Sequence, residues 1–178
     1  MKILKRIGIT ILVIILLFLV VAAFVKKDYA VEREIVINKP KQEVFDYIKM
    51  LKNQNNYSVW SKMDPNMKKS YRGTDGTVGF VSAWDSKKDD VGKGEQEIKK
   101  ITEGKRVDFE LRFIKPFEAT EQAYMKTEAE GASSTKVKWG FDGHMPYPMN
   151  IMLLFMDMEA MIGKDLENGL KNLKGELE

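Results

Sequence analysis

The chain has no cysteine and a single histidine, His144, among its 178 residues. The first absence excludes disulfides, thiol nucleophiles and cysteine-ligated zinc. The second leaves little for a histidine-dependent triad, and no motif around His144 marks it as a catalytic base. Positive charge is scarcer than the overall net of +3 suggests. Residues 1–27 carry five Lys or Arg and no acid. Removing them leaves 24 basic against 26 acidic side chains, a net of −2 for residues 28–178. That balance does not suit a nucleic-acid binder. Phosphate loops are absent too. "GTDGTVG" and "GKGEQE" neither open a helix nor contain GK[ST], so they read as hairpin turns.

Charge is missing altogether from residues 7–25, "IGITILVIILLFLVVAAFV". At ~1.5 Å per residue this run spans about 28 Å, close to a hydrocarbon core of roughly 30 Å. A cleaved signal usually has a shorter apolar stretch followed by a small-x-small site, and "AAFVKKDYAVE" offers no convincing one. The run reads as an uncleaved transmembrane anchor; a cleaved signal and a buried core helix are the alternatives. Lys2, Lys5 and Arg6 precede it, and Lys26 and Lys27 follow, with Asp28 next. The weak N-terminal excess predicts a single-pass cell-membrane protein, N-in, with its soluble part on the extracytoplasmic face. The expected division is an anchor segment at 1–27 and one further domain at 28–178, long enough to bury a sizeable core.

Periodicity then orders the elements. Val31, Ile35 and Ile37 alternate in a first strand that stops near Pro40. Val44, Phe45, Ile48 and Leu51 recur at helical spacing after it, with Pro40 suited to a first turn. Residues 53–66 read as loop or short helix. Six strands follow. The clearest is "RVDFELRF" at 106–113, where Val107, Phe109, Leu111 and Phe113 alternate with charged residues, as in a half-buried antiparallel strand. "GTDG" at 73–76 and "EGK" at 103–105 mark turns. After the break "GHMPYP", one long helix is predicted over about 148–177. The plan is α+β: an antiparallel sheet with a long terminal helix laid across it, preceded by one transmembrane helix.

That helix carries two peculiarities. Glu159 falls at the middle of its apolar face, between Phe155 and Ile162, so burial against the sheet is predicted. Three roles stay open for it: a carboxylate reaching water or a basic partner, a polar anchor in a ligand cavity, or a catalytic acid or base. The second peculiarity is methionine. Residues 144–166 hold six of the eleven in the chain. Met149, Met152 and Met156 share a narrow arc, whereas Met158 and Met161 lie elsewhere. A copper site needs soft ligands converging on one point. Methionine is also a flexible filler of irregular apolar space. The expectation is cavity wall rather than metal chemistry, with no metal and no cofactor.

"IVINKPKQEVFDYI" at 35–48, "YSVWSKMDPNMK" at 57–68, "GTVGFVSAWD" at 76–85, "VGKGEQEI" at 91–98, "KPFEAT" at 115–120, "TKVKWGFDG" at 135–143 and "LFMDMEAMIGKDLENGLKNLK" at 154–174 carry a resemblance, in that order. The chain resembles the START-like, or SRPBCC, superfamily of polyketide cyclase/dehydrase-like proteins. The resemblance implies the helix-grip fold, an antiparallel sheet wrapped around a long C-terminal helix and enclosing an apolar pocket. It implies binding of a lipid or other hydrophobic small molecule, with catalysis in a minority of members. No catalytic motif transfers.

Strand parity and the helical wheel place Trp84, Phe109, Leu111, Glu121, Met125, Trp139, Met152, Phe155 and Glu159 around that pocket, with Trp60 over its entrance. For the three tryptophans, plain core packing is the competing reading, and for Glu121 an exposed edge position. The leading function is membrane-tethered binding of a hydrophobic or lipid-like molecule oriented by Glu121 and Glu159. The alternatives are a cyclase or dehydratase with Glu159 or Glu121 as acid/base, and a non-catalytic structural or stress domain packed solid. Partners are the small molecule and the membrane, not nucleic acid.

Overall fold

The alternating stretches become strands. The computed structural model describes residues 2–178. Helix α1, Lys2–Phe24, leads into strand β1, Asp28–Ile37, and helix α2, Lys41–Lys49. Two short helices follow, α3 at Gln54–Tyr57 and α4 at Val59–Met63. The remaining strands are β2 (Lys68–Arg72), β3 (Val81–Asp85), β4 (Lys93–Thr102), β5 (Arg106–Lys115), β6 (Ala119–Ala129) and β7 (Thr135–His144). Helix α5, Met158–Leu177, closes the chain. The seven strands form one antiparallel sheet in the order β1-β7-β6-β5-β4-β3-β2. This is the α+β helix-grip architecture expected from the sequence.

Period-two patterning gives the sheet two unlike faces. The convex face is charged. On it Arg112 binds Glu95, Glu97 and Glu110, and Lys138 lies between Glu32, Glu34 and Glu128. The concave face is apolar and takes the helices. Val44, Phe45 and Ile48 of α2 are fully buried on it, with Tyr57 of α3. The "GTDG" turn lies within a longer β2–β3 connection than a tight hairpin. Its Asp75 carboxylate accepts from the Leu51 and Lys52 amides at 2.8 and 3.2 Å, tying that loop to the helical layer.

Helix α5 lies along β1. It buries Gly163, Leu166, Gly169, Leu170 and Leu173, each leucine stabilising the fold by about 1.5–3 kcal/mol. The glycines permit close approach. A methyl group at Gly169 would lie 2.7 Å from the Trp139 ring, and one at Gly163 would lie 2.3 Å from the Arg33 guanidinium.

The start of α5 corrects the predicted helix over 148–177. Residues Met149–Leu154 form a 3-10 segment, and the α-helix begins only at Met158. Asp157 is the reason. Its backbone is not helical (φ −83°, ψ 84°), and its carboxylate accepts from the Ala160 amide at 2.8 Å. This is an N-cap, reinforced by Glu159 in the first turn. The 3-10 segment is held elsewhere. The Asn150 side-chain amide donates to the Ala22 and Val25 carbonyls at 2.7 and 2.8 Å, at the end of α1.

Two glycine substitutions in α5 test this packing. Gly169→Ala is expected to destabilise by about 1–3 kcal/mol through overpacking on Trp139. Gly175→Ala meets nothing within 4 Å and is expected to stabilise by about 0.8 kcal/mol through helix propensity. Urea unfolding of the detergent-solubilised chain reads both; equal effects would contradict the packing.

Candidate ligand site

Register places the concave-face residues in rows across the sheet. One row runs Val31, Phe141, Ala123, Phe109, Ile98. The next, toward the middle of β1, contains Arg33, Trp139, Met125 and Val107. Both lie under the helical layer. Phe109 and Met125 are fully buried and Trp139 nearly so. Tyr57 stands edge-on to Trp139 at 5.6 Å, and its hydroxyl reaches the Met125 sulfur at 3.3 Å. Trp60 also meets Trp139 edge-on, at 6.2 Å, and covers it. Phe109, Met125 and Trp139 are thus packed solid, the core alternative for that tryptophan.

The row at the start of β1 is different. It contains Tyr29, Gly143, Glu121, Leu111, Gln96 and Ser82. Helix α5 packs on the sheet from the level of Arg33 onward, and only its first residues, Met158 and Glu159, come near this row, at Tyr29. Leu111, Gln96 and Ser82 are half-buried, as is Trp84 further on. Trp84 lies edge-on to Phe113 at 6.0 Å and flat over Gly94, with its indole N–H donating to the Val91 carbonyl at 3.2 Å. An open depression of about 430 Å³ at the end of the sheet is lined by Asp28, Ala30, Thr120, Gln122, Asp142 and His144, which alternate with Tyr29, Glu121 and Gly143 and open it toward the outer face. A second, of about 460 Å³, lies between Lys26, Tyr29 and residues 153–159. Asp28 and Tyr29 belong to both.

Glu121 is the acidic residue of the open row. It is only 7% exposed, and its carboxylate accepts from the His144 backbone amide at 2.8 Å. Burial holds its carboxyl above the usual carboxylate range. The amide bond and the His144 ring offset this in part, and Asp28 adds to it. The Tyr29 phenol is pushed up to about 12, by burial first and by Glu121 second. Gly143 lets these two groups share the site, since a Cβ there would lie 2.2 Å from the Tyr29 ring. His144 pairs with Asp28 at 2.6 Å on the rim.

Three expected positions are corrected. The Glu159 side chain is 71% exposed and sits 3.5 Å from Arg33, a surface pair worth at most about 1 kcal/mol. Phe155 is 83% exposed, and Met152 also faces outward. The cause is the Asp157 cap. A helix continuous from 148 carries these residues across the sheet, whereas the break directs them to its end. The methionine wall fails with it: Met149, Met152 and Met161 are exposed, and only Met156 and Met158 line a depression. Sequence reasoning missed Tyr29, although its alternation with Val31 was readable, and it missed Asp157, whose cap signature was hidden in a methionine run.

The profile of a family described as polyketide cyclase/dehydrase and lipid transport matches residues 29–178. The chain belongs to this family. The START-like resemblance and helix-grip fold agree with it. Solved structures share the fold at low identity. A protein from Nitrosospira multiformis is 15% identical, with a TM-score of 0.57, covering 84% of this chain and 97% of that one. Ara h 8.0201 gives 15%, 0.56, 84% and 97%. The Aha1 dimer from Colwellia psychrerythraea gives 13%, 0.57, 84% and 96%. A comparison with curated protein sequences finds no significant match. Ahead of the matched residues the chain carries an apolar helix, Lys2–Phe24, long enough to cross a membrane.

The raised Glu121 carboxyl has a pH signature. Such a group binds more protons in the folded than in the unfolded state, between its ordinary and its raised pKa. Stability contributed by the protonated form is therefore lost as pH rises through that window. Glu121→Gln keeps an acceptor for the His144 amide and removes the charge. It is expected to flatten the stability profile in weak acid and to be at least as stable as wild type at neutral pH. A steeper profile, or clear destabilisation at neutral pH, would contradict the burial argument.

Proposed function

We propose that this chain is a membrane-tethered binding protein for a hydrophobic or lipid-like small molecule. One observation carries the reading: the row at the start of β1 is only partly covered, and in it the shielded Glu121 carboxyl, its pKa raised by burial, sits with Tyr29 and Leu111. Uncovered apolar surface favours an apolar occupant, and a few polar groups orient it. The family's association with lipid transport supports the same class of ligand. Trp84 and Phe113 extend the apolar wall; Gln96 and Ser82 supply further polar atoms. Glu159, Phe155 and Met152 are not assigned to the site.

The anchor is residues 1–27 and the binding domain 28–178. Uncleaved attachment is supported by the docking of α1: Ala22 is fully buried, and Asn150 caps the helix. A signal removed after export has no need of such contacts. The charge asymmetry favours N-in, with the domain outside. Protease added to intact cells is expected to remove the domain; full protection would reverse the topology.

A catalytic reading has one observation in its favour, the closeness of Tyr29 to the shielded Glu121 carboxyl. In it Glu121 serves as the acid or base of a cyclase or dehydratase. Turnover of a polyketide-like substrate, abolished in Glu121→Gln with binding retained, would establish that role.

Binding is tested by titrating the full-length chain in detergent with a fluorescent fatty acid. Leu111→Trp fills the open row and is expected to weaken binding by about tenfold or more, roughly 1.4 kcal/mol. Unfolding measurements verify that the variant is folded. Unchanged affinity in a folded Leu111→Trp would remove this row as the site.

A further inference from the structure

The open end of the concave face lies at the end of the domain from which α1 emerges. Helix α1 ends at Phe24 and β1 begins at Asp28. Three linking residues extend at most about 11 Å, so the first residues of β1 cannot leave the surface from which α1 emerges. Tyr29, the start of the uncovered row, is among them.

A second element occupies the same level. Residues 145–156, "MPYPMNIMLLFM", contain no charge. In this stretch Tyr147 is 45% exposed, Met149 49%, Leu154 56% and Phe155 83%. Such side chains in a row are costly to leave in water. They are continuous with the end of α1. Asn150 bonds the Ala22 and Val25 carbonyls, and the Tyr147 hydroxyl donates to the Leu19 carbonyl at 3.4 Å. Leu19 lies six residues before Val25, or about 9 Å along the helix axis. Interfacial elements bury their apolar face by a similar depth, about 5–10 Å. The Asn150 bonds fit this setting, since the last carbonyls of a membrane helix lack water. Lys26 and Lys27 stand beside the segment, and their charges suit lipid phosphates.

We infer that residues 147–155 form an interfacial element embedded in the lipid headgroup region, seating the Tyr29–Glu121 end of the concave face against the bilayer. Apolar ligand is then taken up from the lipid phase rather than from water. The depression between Lys26, Tyr29 and residues 153–159 is the passage from lipid to the open row. The embedding rests on the anchored reading of α1, and the lipid route also rests on the ligand-binding reading.

The absence of cysteine makes the test direct. A single cysteine is placed at Leu16, Phe155 or Glu130, labelled with an environment-sensitive fluorophore, and the full chain is reconstituted in phosphatidylethanolamine–phosphatidylglycerol vesicles. Phosphatidylcholines with a nitroxide near the headgroup or deep in an acyl chain serve as quenchers, the shallow one for Phe155 and Glu130 and the deep one for Leu16. The probe at Phe155 is expected to shift to the blue and lose most of its emission, while the one at Glu130, on the β6–β7 turn, keeps it. Quenching at Leu16 without quenching at Phe155 would overturn the embedding and leave the anchor intact. Quenching at neither would overturn both. Equal quenching at all three would place the whole domain in lipid and overturn the proposed orientation.

A second arm reads the route. In Leu154→Ser/Phe155→Ser, uptake of the fluorescent fatty acid from vesicles is expected to slow severalfold. A wild-type rate would overturn uptake from lipid. No uptake by wild type would instead count against ligand binding, and the depth measurement would still read the embedding.

Discussion

A single hydrogen bond, from the Ala160 amide to the Asp157 carboxylate, fixes where the terminal helix begins. Everything distinctive about the concave face depends on it. A helix started ten residues earlier passes over Tyr29 and Glu121 and closes the sheet. Started at Met158, it grips only the half of the sheet from Arg33 onward. The other half keeps its first row, from Tyr29 to Ser82, only partly covered. The cap also frees the preceding uncharged segment to fold back on α1 through Asn150.

The two halves of the concave face therefore do different work. Under α2, α3 and α5 the face is filled by Phe45, Tyr57, Phe109, Met125, Trp139 and Leu166, with glycines at 163 and 169 setting the helix close to the sheet. That half supplies stability. The half at the start of β1 keeps partly exposed Leu111 and Tyr29 around one shielded carboxyl. Its polar group is expensive to bury, and the shift of its carboxyl toward the neutral form relieves that cost. A site with one shielded carboxyl beside Tyr29 and Leu111 suits an amphipathic molecule with one polar end.

Much of this architecture is legible in the amino-acid sequence. Strict alternation in 106–113 marks β5, and the same parity puts Glu121 on the inner face with Ala123 and Met125. Each follows from the two-residue period of a strand, which a pattern of single residues records directly. The start of the terminal helix is the exception. Met149, Met152 and Met156 recur at helical spacing, and periodicity alone extends the helix through Asp157. The competing signal is a lone acid one residue before the helix, which local patterning outweighs by number but not by energy. The expected burial of Glu159 and Phe155 falls with that error. The docking of Asn150 on α1 links residues more than 120 positions apart, and no local pattern reports such a contact.

The central claim is that the uncovered row holds an apolar molecule in the native membrane. The most direct measurement is native mass spectrometry of the full chain, extracted from its own membrane in a mild detergent. The account expects one small apolar molecule bound per chain, carried through purification by wild type and lost from Leu111→Trp. Wild-type chains that emerge wholly unliganded, and that acquire no mass from an added extract of their own membrane lipids, would contradict it.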